Sequence, residues 1–178
     1  MTGEPLATDL LNTRWIDAAG PHDLLDSLNG LALWLAGPSV RETLGGTAAP
    51  ADQDTRQHLL QARETLALAV AAPTGPAPEA VAAVNAVLEH GRTRSVLTSD
   101  GPGTVVEVDA PSWLPAWSAA ADCLRLLERP ERIRACAGPD CVLHFYDVSK
   151  NGNRRWCSMS GCGNRAKAQR HYARHARR

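Results

Sequence analysis

Two cysteine pairs of equal spacing, Cys136-x4-Cys141 and Cys157-x4-Cys162, stand near the end of this 178-residue chain with fifteen residues between them. Short pairs that bracket a predicted hairpin bring four soft thiolates together from two tight turns. That is the donor set a tetrahedral cation requires. The length suits one ordinary domain, or one domain plus a small metal-stabilised module.

The compartment bears on the choice between metal and disulfides. Met1-Thr-Gly-Glu-Pro-Leu-Ala has no basic stretch followed by an apolar one, so no secretory signal is expected. No apolar run approaches the ~18 residues of a membrane span. A cytoplasmic protein without a membrane partner is therefore expected. There thiols stay reduced, and paired cysteines favour metal.

A net charge of zero conceals a division. Residues 132–178 carry eleven Lys/Arg against Asp140 and Asp147, or +9, leaving −9 for residues 1–131. The pattern predicts an acidic body with a basic arm that binds either a polyanion or the body itself.

Residues 1–131 read as mostly helical. Leu6 to Trp15 is a short apolar segment. Leu24, Leu28, Leu31 and Leu35 recur at helical spacing until Gly37-Pro38. Thr43 to Pro50 reads as a loop. Asp52 or Asp54 is expected to cap a long helix that buries Leu59, the stem of Arg63, Leu66 and Val70. Glu79 to His90 is a further helix, with Val81, Val84, Val87 and Leu88 inward. A hairpin is expected near 95–108, where two β-rich runs flank Ser99-Asp-Gly-Pro-Gly103. Ser112 is expected to cap the next helix, which runs to Glu128.

Trp15, Trp34, Trp113 and Trp117 stand out in a chain with one Phe. They are candidates for an aromatic-lined ligand pocket. Core packing is the competing reading, and Trp113 and Trp117 are one helical turn apart, as core stripes are. Cys123 has no partner in its helix and reads as a buried small apolar residue.

Between the cysteine pairs, Val142 to Val148 alternates as a strand, Lys150-Asn-Gly-Asn153 is a turn, and Arg154-Arg-Trp156 is expected to return as the paired strand. Cys162 is placed where the last helix begins. Knuckle, hairpin and helix form a treble-clef-like order. Zn²⁺ on Cys136, Cys141, Cys157 and Cys162 would leave no open position, so the centre reads as structural. A [4Fe–4S] cluster and redox disulfides are the rivals, and His144 and His171 are the alternative ligands. The final helix carries Arg165, Lys167, Arg170 and Arg174, candidates for phosphate contact. Arg134, Arg154, Arg155 and Arg165 also have a competing use, neutralising the thiolate centre.

Arg134-Ala-Cys-Ala-Gly-Pro-Asp-Cys141, Phe145-Tyr-Asp147, Arg155-Trp-Cys157-Ser-Met159 and Cys162-Gly-Asn-Arg165-x-Lys167 resemble the CGNR zinc finger over about 134–175. Asp9-Leu-Leu-Asn12-Thr13-Arg14, Asp23-Leu-Leu25 and the Trp-containing stretch Leu31 to Leu35 resemble the ABATE domain over 6–130. That resemblance implies a stress-induced transcription regulator with four cysteine zinc ligands and a DNA-binding C-terminal module. The Asn12-Thr13 and Asn164-Arg165 pairs are expected to make helix-end or inter-domain hydrogen bonds rather than to catalyse.

The expected fold is mainly α with small β-hairpins. It comprises an acidic helical ABATE-like domain over 1–131 and a basic treble-clef-like Zn(Cys)₄ module over 132–178. The leading functional reading is a zinc-containing, DNA-binding transcriptional regulator whose helical domain senses a small-molecule effector or mediates homodimerisation. The alternative is a small-molecule-binding protein or enzyme braced by structural zinc; a third reading is a protein-interaction adaptor. Metalloprotease, phosphate-loop, serine-hydrolase and dinucleotide fingerprints are lacking, which argues against an enzyme.

Overall fold

The fold is built on three helices whose apolar faces meet, and the computed structural model describes residues 3–71 and 75–175. Of Arg170, Ala173, Arg174 and His175 the backbone alone is described, so the phosphate-contact assignments to Arg170 and Arg174 concern side chains outside the described part. Helix α1 (Leu6–Leu11) is buried along its whole length. Helix α4 (Gln53–Val70) starts where Asp52 Oδ1 accepts the Thr55 N–H at 2.9 Å. Its inner face carries Leu59, Ala62, Arg63, Leu66 and Ala69, the three-and-four spacing of one helical stripe. Helix α6 (Leu114–Leu127) meets both through Ala116, Ala119, Ala120 and Cys123. These small side chains let three backbones approach closely around fully buried Leu10, Leu59 and Leu66. Each such leucine contributes about 1.5–3 kcal/mol relative to exposure.

The other elements surround that core. Helix α2 (Leu28–Leu35), capped by Ser27, presents Leu31 and Trp34 inward. Gly37-Pro38 ends it, but Pro38 then occupies the first turn of a further short helix, α3 (Pro38–Thr43). Helix α5 (Pro78–Leu88) buries Ala80, Val84 and Val87. Val81, expected inside, is 43% exposed because the stripe starts one residue earlier.

Three two-stranded antiparallel sheets complete the described fold. The hairpin near 95–108 is present and longer, as β3 (Gly91–Thr98) and β4 (Gly101–Val108), with Thr98 opposite Gly101. Its first residue packs under Trp117, whose Nε1 donates to the Leu88 carbonyl at 3.0 Å. A small hairpin that the sequence did not announce joins β1 (Arg14–Asp17) to β2 (Gly20–Asp23). Asp17 Oδ1 accepts the Ala19 N–H in its turn, and Gly20 takes φ +116°. Strands of four residues are too short to leave a readable alternation.

The third sheet corrects an expectation. Strand β6 (His144–Tyr146) pairs with β5 (Ile133–Ala135), ahead of the first cysteine, and not with Arg154-Arg-Trp156. The latter segment runs back without strand pairing, and its Arg155 carbonyl accepts the Ala137 N–H at 2.9 Å. Ser112 likewise makes no capping bond; a short turn over Pro111–Trp113 leads into α6 instead. The overall class is as read from the sequence: mainly α, with small antiparallel hairpins. No described helix is long and apolar enough to cross a membrane.

Candidate metal centre

Cys136 follows β5 directly, and its N–H donates to the Leu143 carbonyl at 2.8 Å, closing a knuckle around Cys141. Gly138 makes the knuckle possible. A Cβ there would lie 3.1 Å from the Cys141 Cβ and 3.2 Å from the Cys162 sulfur. The second pair sits on a different turn. Ser158 Oγ accepts the Gly161 N–H, and its carbonyl accepts the Gly163 N–H. Cys162 lies in a single wide turn of π-helix, Met159–Gly163, that leads into α7 (Asn164–His175). The Cys157 N–H donates to the Cys136 sulfur at 3.3 Å, tying the two turns together.

The four sulfurs lie within 4.8 Å of one another. Cys141 and Cys157, and Cys157 and Cys162, are 3.7 Å apart. A disulfide requires about 2.05 Å. A tetrahedral ion with arms of about 2.3 Å requires sulfur–sulfur edges of roughly 3.8 Å. The spacing therefore fits one metal ion. Burial and then its sulfur neighbours push the Cys157 thiol upward, and burial first pushes Cys162 up to about 11. Four thiolates at this density need a countercharge, which a divalent cation supplies. Cys136 goes the other way: burial opposes ionisation, but the Cys157 and Gly138 N–H groups outweigh it. His144 is not part of the sulfur cluster.

Around the cluster, Arg132, Arg134 and Arg154 serve the local backbone, while Arg155 lies over the Trp156 ring. Buried Asp147 accepts the N–H groups of Ser149 and Arg154. Arg132 donates to the carbonyls of Asp147 and Ser149, and Arg134 to that of Gly152. Gly152, at φ +59°, sits close under the Arg132 guanidinium, where a larger residue is doubly disfavoured. Arg154 lies over the Phe145 ring at 4.3 Å, and its Nη2 donates to the Cys157 carbonyl and to Glu4 Oε1.

Glu4 points to contacts that sequence reasoning left unspecified. Strand β6 is paired by β5 on one edge, and side chains from the two ends of α1 serve the other. Glu4 Oε2 accepts the Tyr146 N–H at 3.0 Å. Asn12 Nδ2 donates to the His144 carbonyl, and Asn12 Oδ1 accepts its N–H. Asn12 is also the C-terminal cap of α1, so the motif makes both the helix-end and the long-range bonds expected of it. Asn164 Nδ2 similarly reaches the Ser160 carbonyl at the start of α7.

A family model described as "CGNR zinc finger" matches residues 132–175. The ABATE model, described as "Putative stress-induced transcription regulator", matches residues 4–130, most of the chain. The protein belongs to the ABATE family. No curated protein matches it.

Within the ABATE region, the asparagine of Asp9-Leu-Leu-Asn12-Thr13 makes the β6 contacts, while Thr13 Oγ1 accepts from Arg63 at 2.7 Å. Arg63, 2% exposed, also grips Asp23 through two bonds of 2.6 Å. The Asp23-Leu-Leu25 motif thereby anchors the β1–β2 hairpin to α4.

The four tryptophans are not brought together. Trp34 is fully buried and donates to Asp9; Trp113 is stacked between His58 and His90; Trp117 holds β3. Trp15, on β1, lines a cleft of about 550 Å³ between the hairpin and the sulfur cluster. Arg165 also lines that cleft, and both Arg165 and Lys167 are exposed on α7.

Proposed function

We propose that the ABATE-family chain is a zinc-containing transcriptional regulator that binds DNA through α7. Zinc is the ion that best suits the tetrad, since four thiolates at tetrahedral edge lengths match its radius and leave no position for substrate. Its role is structural: it holds Cys162, and with it the start of α7, against the knuckle. In this reading residues 132–178 form the basic module and residues 1–131 the acidic one that senses an effector or mediates dimerisation.

The observation that carries the reading is the exposure of α7. Among its described side chains, Asn164, Arg165, Lys167, Ala168, Gln169, His171 and Tyr172 are exposed, and Ala166 is half-buried. A basic helix that served to neutralise the acidic body would lie buried against it. The division of labour points the same way, because Arg132, Arg134 and Arg154 are occupied within the module. At 100° per residue, positions 167, 170 and 174 fall on one face of a helix. Lys167, Arg170 and Arg174 are the residues proposed to meet phosphates.

Fluorescence polarisation with the zinc-loaded protein and mixed-sequence duplex DNA tests this. Affinity should fall steeply with salt, with a slope of log K on log[salt] of roughly −3 for three contacts. Arg170→Ala should weaken all duplexes alike and reduce that slope by about one. Absence of binding at low salt would leave the small-molecule reading in its place.

A further inference from the structure

The cleft beside the metal centre has two features that an incidental groove lacks. Asp9 lines it, yet Asp9 is only 2% exposed. One of its carboxylate oxygens accepts from Trp34 Nε1 at 3.1 Å, and the other has no hydrogen-bond partner among the described residues. Burial raises the pKa of this carboxyl despite the Trp34 bond, a cost that a cationic partner relieves. Arg165 is the second feature. It lines the same cleft and makes no ion pair or hydrogen bond among the described residues. Every arginine of the zinc-finger region that precedes it has a carbonyl, carboxylate or ring against it.

Apolar side chains form part of the wall, beside Asn12, Asp140, Ser158 and three of the clustered cysteines. Trp15, Ile16 and Leu33 contribute, and Ile16 and Leu33 are 42% and 62% exposed. Large apolar side chains left in water around a cavity of about 550 Å³ make a site of small-molecule size. The charges select among small molecules. A simple carboxylate would satisfy Arg165 but would leave Asp9 without a cation, in a cleft that Asp140, Cys141, Cys157 and Cys162 also line. A simple amine would satisfy Asp9 and leave Arg165 without an anion.

We infer that this cleft binds a small zwitterion with an apolar body, an apolar α-amino acid or a close analogue. Its ammonium goes to Asp9, its carboxylate to Arg165, and its side chain lies against Trp15, Ile16 and Leu33. This site rests on the sensing role proposed for the ABATE region and is independent of DNA binding. It also separates Arg165 from the phosphate-facing row, since position 165 lies on the opposite side of α7 from 167, 170 and 174.

Isothermal titration of the full, zinc-loaded chain with three matched probes tests the proposal without DNA. L-phenylalanine carries both charges, phenethylamine lacks the carboxylate, and 3-phenylpropionate lacks the ammonium. Phenylalanine should bind, with each half-probe weaker by about tenfold or more. Asp9→Asn, which keeps an acceptor for Trp34, should bring phenylalanine down to the affinity of phenylpropionate. Arg165→Met lies on an exposed position and should bring it down to that of phenethylamine. Binding of none of the three, equal binding of all three, or phenylalanine affinity unchanged in Arg165→Met would each overturn it. Failure here with DNA binding intact would remove the effector site and leave the regulator reading standing.

Discussion

The side-chain amide of Asn12 makes both backbone hydrogen bonds at His144, donating to its carbonyl at 2.9 Å and accepting its N–H at 2.8 Å. An asparagine at the end of α1 thus acts as one residue of an extra strand along the free edge of β6. Glu4 does the same for the Tyr146 N–H from the other end of the helix. The zinc-finger region is therefore fastened to the first helix of the ABATE region by backbone-directed bonds.

Asn12→Ala should leave two half-buried backbone groups at His144 unsatisfied, each costing about 1–3 kcal/mol if water does not enter. Urea denaturation should show the loss. Amide exchange should accelerate at His144 and Tyr146 more than along α4. Uniform acceleration would show that the clamp is not local.

The Arg63–Asp23 pair predicts acid sensitivity. Burial favours the neutral acid, but hydrogen bonds from Arg63, the Leu25 N–H and Arg14 outweigh it and hold the Asp23 carboxyl below its usual value. The folded state therefore binds this proton less tightly than the unfolded state. The stabilisation is complete above the unfolded pKa, about 4, and disappears as pH falls through the lower folded value. Unfolding free energy measured from pH 6 downward should drop through that window, and Asp23→Asn should flatten the drop. Arg63→Ala should cost about 1–3 kcal/mol, because Asp23 and Thr13 lose their bonds to the buried guanidinium while Arg14 and the Leu25 N–H still hold the Asp23 carboxylate.

Metal content should be about one zinc per chain, with thiolate ligation visible on cobalt substitution. Chelation should release protection of the β5 and β6 amides while α4 and α6 stay protected, since their apolar contacts do not involve the sulfurs. Cys157→Ser should reproduce the effect.

Cys123 should resist alkylation in the folded protein. It is fully buried on α6, and burial, with a smaller effect from Asp122, pushes its thiol up to about 12. Iodoacetamide labelling followed by mass mapping should modify the four clustered cysteines after chelation and leave Cys123 unmodified.

Gly91→Ala should destabilise by about 1–3 kcal/mol through overpacking. The new Cβ would lie 2.8 Å from the Trp117 ring, and that ring cannot retreat without breaking its bond to the Leu88 carbonyl. Thermal denaturation would measure the change; an unaltered midpoint would mean that the β3–β4 arm shifts freely.

Local sequence determined what local chemistry controls. The equal cysteine spacing specified a sulfur tetrad, because two tight turns joined by a short return can bring four sulfurs together in few ways. Periodicity located α4, α5 and α6, and turn residues located the β3–β4 hairpin. Tertiary structure decided the rest, since those choices depend on partners far along the chain. Whether β6 pairs with β5 or with the Arg154 segment is a competition between two nearby extended stretches, and Arg154 is drawn off by Glu4, Phe145 and the Cys157 carbonyl. Asn12 and Glu4 carry no local signal of an edge strand 132 and 142 residues away. Asp9 and Arg165 become neighbours of one cleft only when α1 and α7 are assembled around the metal centre. Hydrogen bonds and charges of that kind are fixed by packing, which a single sequence records as residue types without their pairing.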